Sequence, residues 1–178
     1  MGSFISITRT LKMFDSKINV TGHVDLKLYN QYDELIDSRS VNNIITNAGK
    51  LNFLKVYGNI GAGVTPQYMK IGTGTSTPTV NDTTIATPSL FIPVYLGATG
   101  TKMAYNNVDV TTNGQPETNT NQVIWRATIN ANNGSSSAIT EAGMFTASSG
   151  GDLCARCTFN ALDKTSARLD IVWIVTFA

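Results

Sequence analysis

Two runs of strict two-residue alternation, one near each end, leave this chain little freedom in what it can fold into. In the first, Val20, Gly22, Val24, Leu26 and Leu28 take one face while Thr21, His23, Asp25, Lys27 and Tyr29 take the other. Successive side chains of a strand point to opposite sides, so this run is a strand with one dry and one wet face. The second run sets Leu169, Ile171, Trp173, Val175 and Phe177 inward, and Val172 and Ile174 make its other face apolar too. Such a strand is covered on both sides.

Between these runs the text is almost wholly strand and loop. A turn through 30–33 leads into a second strand at 35–41, a hairpin. One helix is expected over about 46–57, with Ile44, Ala48, Leu51 and Leu54 or Lys55 near the i, i+4, i+7 spacing. Thr46 or Asn47 can cap its start and Gly58 can end it in the left-handed conformation. Further strands are expected at 68–71, 90–96, 102–110, 123–129, 139–146 and 153–159. Polar loops are expected at 111–121 and 130–137, and a Ser-Ser-Gly-Gly turn at 148–151. This series predicts a mainly β fold, an antiparallel β-sandwich or jelly-roll-like barrel with one α-helix near residues 46–57. No fixed-period repeat or long heptad marks a fibre shaft.

A chain of 178 residues, 42% of them hydrophobic, can bury one core, so 18–178 reads as a single domain. Ahead of it, 1–17 reads as an extended arm without a sustained period. It carries Phe4, Ile5, Ile7, Leu11 and Phe14 among Arg9, Lys12 and Lys17. An apolar arm either folds back on its own body or straps one subunit onto another.

Charged residues make up 14% of the chain against about 25% in an average soluble protein. A polar, weakly charged surface has few ions to desolvate when it packs into an assembly. The formal charge of +1 gives no basic footprint for nucleic acid. The longest apolar stretches, such as 171–175, fall far short of the about 20 residues that span a bilayer. The start has no secretory signal, and Met1-Gly2-Ser3-Phe4-Ile5-Ser6 fits the myristoylation pattern only loosely. Neither a nucleic-acid nor a membrane partner is expected.

The residues that carry chemistry are sparse. His23, the single histidine, lies on the wet face of its strand beside Asp25, which argues for a surface role rather than a catalytic base. Cys154 and Cys157 stand three apart in an alternating strand and so point to opposite faces, too divergent to bridge or to share a metal. Cys157, on the side of Leu153, Ala155 and Phe159, reads as a small buried hydrophobe. Gly72-Thr73-Gly74-Thr75 lacks the ending of a phosphate loop and runs toward Pro78 rather than into a helix, which makes it a tight turn. Glu141, before the small pair Ala142-Gly143, can accept backbone N–H groups and pin a loop. No catalytic residue, cofactor or metal is expected.

Four blocks of text have a recognisable character: Asn43-Ile44-Ile45-Thr46-Asn47-Ala48-Gly49-Lys50, Met69-Lys70-Ile71-Gly72-Thr73-Gly74-Thr75, Ile139-Thr140-Glu141-Ala142-Gly143-Met144-Phe145, and the run from Leu153 to Phe177 through Lys164-Thr165. Together they resemble a recurrent class of small structural proteins from tailed bacteriophage particles, described as virion, head-decoration or tail-associated proteins. The chain departs from that pattern where Thr87-Pro88 follows Asp82-Thr83-Thr84-Ile85 in place of an acidic residue. The resemblance implies a virion component assembled in the bacterial host cytoplasm, with major capsid or tail proteins and its own copies, in a trimer by preference, as partners. It also implies a fold-determining role for Glu141, and the same role is expected of Asn47, Gly49, Gly72, Gly74 and Gly143 in these blocks and of Trp173 on its inward strand face. A host-recognition module whose loops 111–121 and 130–137 contact a glycan is the rival expectation.

Overall fold

The computed structural model describes residues 19–64, 66, 68–85, 94–95, 111–112, 115–116, 122–131, 138–147 and 149–178. The fold is mainly β and antiparallel, with one short helix. In chain order the elements are β1 (Val20–Tyr29), β2 (Leu35–Ile45), α1 (Asn47–Gly58), β3 (Tyr68–Gly72) and β4 (Val94–Tyr95). There follow β5 (Thr111–Thr112), β6 (Gln115–Pro116), β7 (Gln122–Ile129), β8 (Ile139–Phe145), β9 (Leu153–Leu162) and β10 (Arg168–Phe177). All but β5 and β6 join one sheet in the order β4-β3-β8-β9-β2-β1-β10-β7. The β5–β6 pair is a minute separate ladder inside the stretch expected to be a plain polar loop. The arm at 1–17, the strand expected at 102–110, Thr87-Pro88 and most of the 130–137 loop lie outside the described residues.

The sheet curls because β2 changes partner along its length. It pairs with β1 from Leu35 to Asn43, and then Ile44 and Ile45 pair with Arg156 and Ala155 of β9. A strand that hands over between neighbours turns a corner, and here the result is a half-barrel. Its core comes from the inward rows predicted by the alternation: Val24, Leu26 and Leu28 of β1 and Leu169, Ile171, Trp173 and Val175 of β10 are all buried. Met69, Ile71, Ala142, Met144 and Cys157 complete the same cluster from the other half of the sheet.

The helix sits where expected but turns a different face inward. Thr46 is its N-cap, accepting the Gly49 N–H at 3.0 Å, while its own hydroxyl donates to the Leu153 carbonyl. Gly49 lies against β9, where an added Cβ would meet the Cys154 carbonyl oxygen at 2.1 Å. That close approach selects the buried face, Gly49 and Asn52 with Phe53 beside them, and leaves Leu51 and Leu54 outside. The helix ends at Asn59, whose φ of 49° is left-handed, rather than at Gly58. A second correction concerns β9. Its register with β8 slips between Met144 and Phe145, so Leu153 joins Ile85 and Phe145 in a separate small cluster instead of sharing the face of Cys157.

Trp173 stands between Val24 of β1 and Trp125 of β7 and is fully buried. Its indole N–H has no hydrogen-bond partner among the described residues. Trp173→Ala is expected to destabilise the fold by about 3–5 kcal/mol through the cavity it leaves. Trp173→Phe, which gives up no hydrogen bond, should lose less than roughly half of that. Chemical denaturation of both variants checks the ordering; equal losses would show that the N–H, not the volume, matters.

Candidate functional site

The best-organised polar site lies on the outer side of the β3-β8-β9 half. Gly72 pairs with Glu141, and Gly143 with Arg156, in one outward-facing row. An outer row would normally be wet, but the segment 73–85 lies over it and seats Ile85 against Phe145 and Leu153. The glycines make room for this cover. A Cβ on Gly72 would come to 2.6 Å from Glu141 Oε1, and one on Gly143 to 2.7 Å from Ile85 Cγ2.

Beneath the cover Glu141 is wholly inaccessible and Arg156 nearly so. Glu141 Oε1 accepts the Gly74 N–H at 2.9 Å, and its Oε2 accepts from Arg156 Nε at 3.2 Å and Nη2 at 2.9 Å. Arg156 Nη1 donates to Asp82 Oδ2 at 2.6 Å, and Nη2 also donates to the Ser76 carbonyl at 3.1 Å. Thr140 donates its hydroxyl to the Gly74 carbonyl at 2.9 Å. Asp82 in turn accepts from the Thr79 N–H and hydroxyl at 3.0 and 2.7 Å. At the far side Asn47 ties the segment to the start of α1, its N–H donating to the Val80 carbonyl at 2.7 Å and its Nδ2 to Asn81 Oδ1 at 2.9 Å. Nitrogens of Arg156 on all three arms of the guanidinium are thus engaged inside the protein. The arrangement is a staple that holds a segment down, with its charge spent internally rather than offered to a ligand.

Burial alone would push the Asp82 carboxyl up, but hydrogen bonds from Thr79 and Arg156, and the charge of Arg156, hold it below the ordinary carboxylate range. Both cysteines are free and buried, with thiols pushed up by burial to about 12, which makes them inert. Lys164, also buried, donates from Nζ to the Asn130 carbonyl at 2.8 Å and so ties the β9–β10 turn to the end of β7.

A second cluster occupies the outer face of β1 and β2. His23 pairs with Asn42 and Asp25 with Ser40 across the two strands. His23 Nε2 stands 2.9 Å from Ser40 Oγ and 3.1 Å from Asp25 Oδ1, and Nδ1 stands 3.2 Å from Asn42 Oδ1. A histidine beside a serine hydroxyl invites a nucleophile reading that the sequence did not suggest. The hydroxyl proton, however, goes to Asp25 Oδ1 at 2.6 Å, so it is not offered to the imidazole. The cluster is a cross-strand brace. Among the described residues no group of three or more His, Cys, Asp or Glu could hold a metal ion.

Of the residues singled out from the sequence, Gly72, Gly74, Glu141 and Gly143 meet at the staple, Asn47 touches its rim, and Gly49 and Trp173 serve the helix contact and the core. The arm residues Phe4, Ile5, Ile7, Arg9, Leu11, Lys12 and Phe14 lie outside the described residues. Arg156 is the functional residue that sequence reading missed. Its signal was a lone charge in an apolar strand, one hairpin turn from a second apolar strand that holds the opposite charge. No family model, no curated protein and no solved structure matches the chain.

Arg156→Met is expected to lose about 3–5 kcal/mol, because it strands a buried carboxylate without its partner. Removing both charges, as in Glu141→Leu with Arg156→Met, should recover part of that loss. A denaturation cycle over the four proteins measures it; a double variant as weak as the sum of the singles would mean that the charges do not act as a pair.

Acid should loosen the same segment. A carboxyl held low in the folded state contributes stability that is fully present above its unfolded value, about 3.9, and is lost as pH falls through the lower folded value. The pH slope of stability below about pH 4 is therefore expected to be shallower in Asp82→Asn than in the wild type. Identical slopes would remove Asp82 from the staple's energetics.

Proposed function

We propose that this chain is a non-enzymatic structural protein of a tailed phage virion, a capsid decoration or cement protein that binds neighbouring subunits as a homo-oligomer, by preference a trimer. The text blocks that resemble such proteins support this reading, and one structural observation carries it. Leu35 and Ile36 are consecutive on β2, where its register with β1 slips beside Tyr29, and 54% and 53% of their surfaces are exposed. With Tyr32 in the turn, 75% exposed, they give the end of the β1–β2 hairpin an uncovered apolar patch. An uncovered apolar patch suits burial against a neighbouring body, the task of a protein that binds capsid subunits.

The exposed tip also favours a second reading. Tyr32 lies beside Asn30, Asp33 and Glu34, an aromatic among polar groups, which is the chemistry of a glycan contact in a tail- or fibre-associated recognition module.

Cryo-electron microscopy of intact particles decides between the two, with the hairpin end expected against capsid subunits rather than at a tail tip. Ile36→Asp should reduce particle occupancy at least tenfold while the free protein stays folded. Occupancy of the wild type is expected to survive 1 M salt, where screening reaches to about 3 Å, because an apolar contact has little charge to screen. Release of the protein at that salt, or full occupancy by Ile36→Asp, would overturn the bridging account.

A further inference from the structure

The corner in β2 leaves an opening in the sheet. The ladder between β1 and β2 ends at Gly22 and Asn43, and the next residues of β2, Ile44 and Ile45, pair with β9 instead. β1 runs on to Val20, where it pairs with Phe177 of β10. A recess of about 460 Å³ lies between the parting strands, walled by Val20, His23, Asn43 and Ile44 of the sheet, Val80 of the covering segment and Lys50 of α1.

The polar groups around this recess are ones that the fold itself leaves idle. Asn43 lays its side chain over Gly22, where an added Cβ would stand 2.2 Å from Oδ1. Both polar atoms of that amide are buried, and neither has a hydrogen-bond partner among the described residues. A buried amide without partners lowers stability, so its presence calls for a reason outside the fold. The backbone of β1 adds another donor and acceptor. Asn19 exchanges hydrogen bonds with Ala178 on the β10 side, and strand residues alternate in the side they face. Val20 therefore turns its N–H and C=O toward the β2 side, past the last residue that pairs with β2. Lys50 is exposed and forms no ion pair among the described residues. None of the described residues that line the recess carries a carboxylate.

An ammonium without a counter-charge selects a carboxylate, and an idle amide is matched by another amide, which donates and accepts side by side. The volume falls within the about 300–1,000 Å³ of small-molecule pockets. We infer that the recess binds a small carboxylate that also bears an amide, its carboxylate on Lys50 and its amide on Asn43, whose side chain turns off Gly22 to meet it. N-acylated acidic sugars and N-acylated amino acids both carry this pair of groups. The inference goes beyond the virion reading and concerns the free protein, so either can fail alone.

Nuclear magnetic resonance titration of the full chain tests it. The probes are N-acetylneuraminate and N-acetylglycine, and the controls are acetate and N-acetylglucosamine, which lack either the amide or the carboxylate. At least one probe should shift the Asn43 side-chain amide signals and bind at least tenfold more tightly than both controls; which probe binds tells the sugar source from the amino-acid source. Lys50→Gln, at an exposed position, should weaken that binding at least tenfold and leave the melting temperature unchanged. Asn43→Leu, of nearly the same shape, should abolish binding while the melting temperature stays equal or rises, because the amide it removes has no partner to lose. A lower melting temperature in Asn43→Leu would assign the amide to the fold and overturn the inference, as would probes that bind no more tightly than acetate or bind Lys50→Gln equally well.

Discussion

A carboxylate and a guanidinium buried side by side set the terms for half of this molecule. Glu141 and Arg156 sit in adjacent strands that would otherwise be apolar, and neither can be buried without its full set of partners. Two strands alone do not supply that set. Gly74, Ser76 and Asp82 do, so the segment 73–85 must lie where it does, and β8 becomes buried at every position from Ile139 to Phe145. The bare surfaces of Gly72 and Gly143 follow from the same requirement, since the carboxylate and Ile85 occupy the space where a side chain would stand.

The other half obeys a different rule. β1, β2, β10 and β7 cover the core with one face; the other is half-buried and apolar at Val172, Ile174 and Ile124, and on β1 and β2 its polar residues pair across the strands. His23, Asp25, Ser40 and Asn42 interlock on that surface, and Arg168 bonds Asp33 beside the hairpin. The corner in β2 separates the two regimes. Up to Asn43 its residues alternate between half-buried and exposed, and after the corner Ile45 and Thr46 are buried, with Thr46 capping α1 from inside.

How much of this could be read in the sequence depends on the range of each interaction. Strand faces follow from neighbours two apart, and the rows of β1 and β10 came out as the alternation of Val20–Leu28 and Leu169–Phe177 predicts. The helix position was legible too, because Thr46 is a local cap. Its buried face was not. Leu51 and Leu54 look like the inward residues by size, but the contact with β9 is so close that Gly49 takes the place, and that closeness is a property of the partner strand. The Leu153 error has the same origin, a register slip that the alternation of β9 alone cannot reveal. Glu141 could be marked as an acceptor for loop amides, whereas Asp82 is 74 residues from Arg156 and nothing local joins them.

The described charges that lie near one another are largely spent on one another. Asp37 is bonded by Arg39, Asp33 and Asp170 by Arg168, and Asp82 and Glu141 by Arg156. Exposed apolar side chains stand at several places on the described surface, among them Leu35 and Ile36 at the end of the β1–β2 hairpin, Leu54 and Tyr57 on α1, and Ile60 just beyond it. Covering such side chains returns about 25 cal/mol for each Å², and the charges already paired nearby need not be desolvated alone.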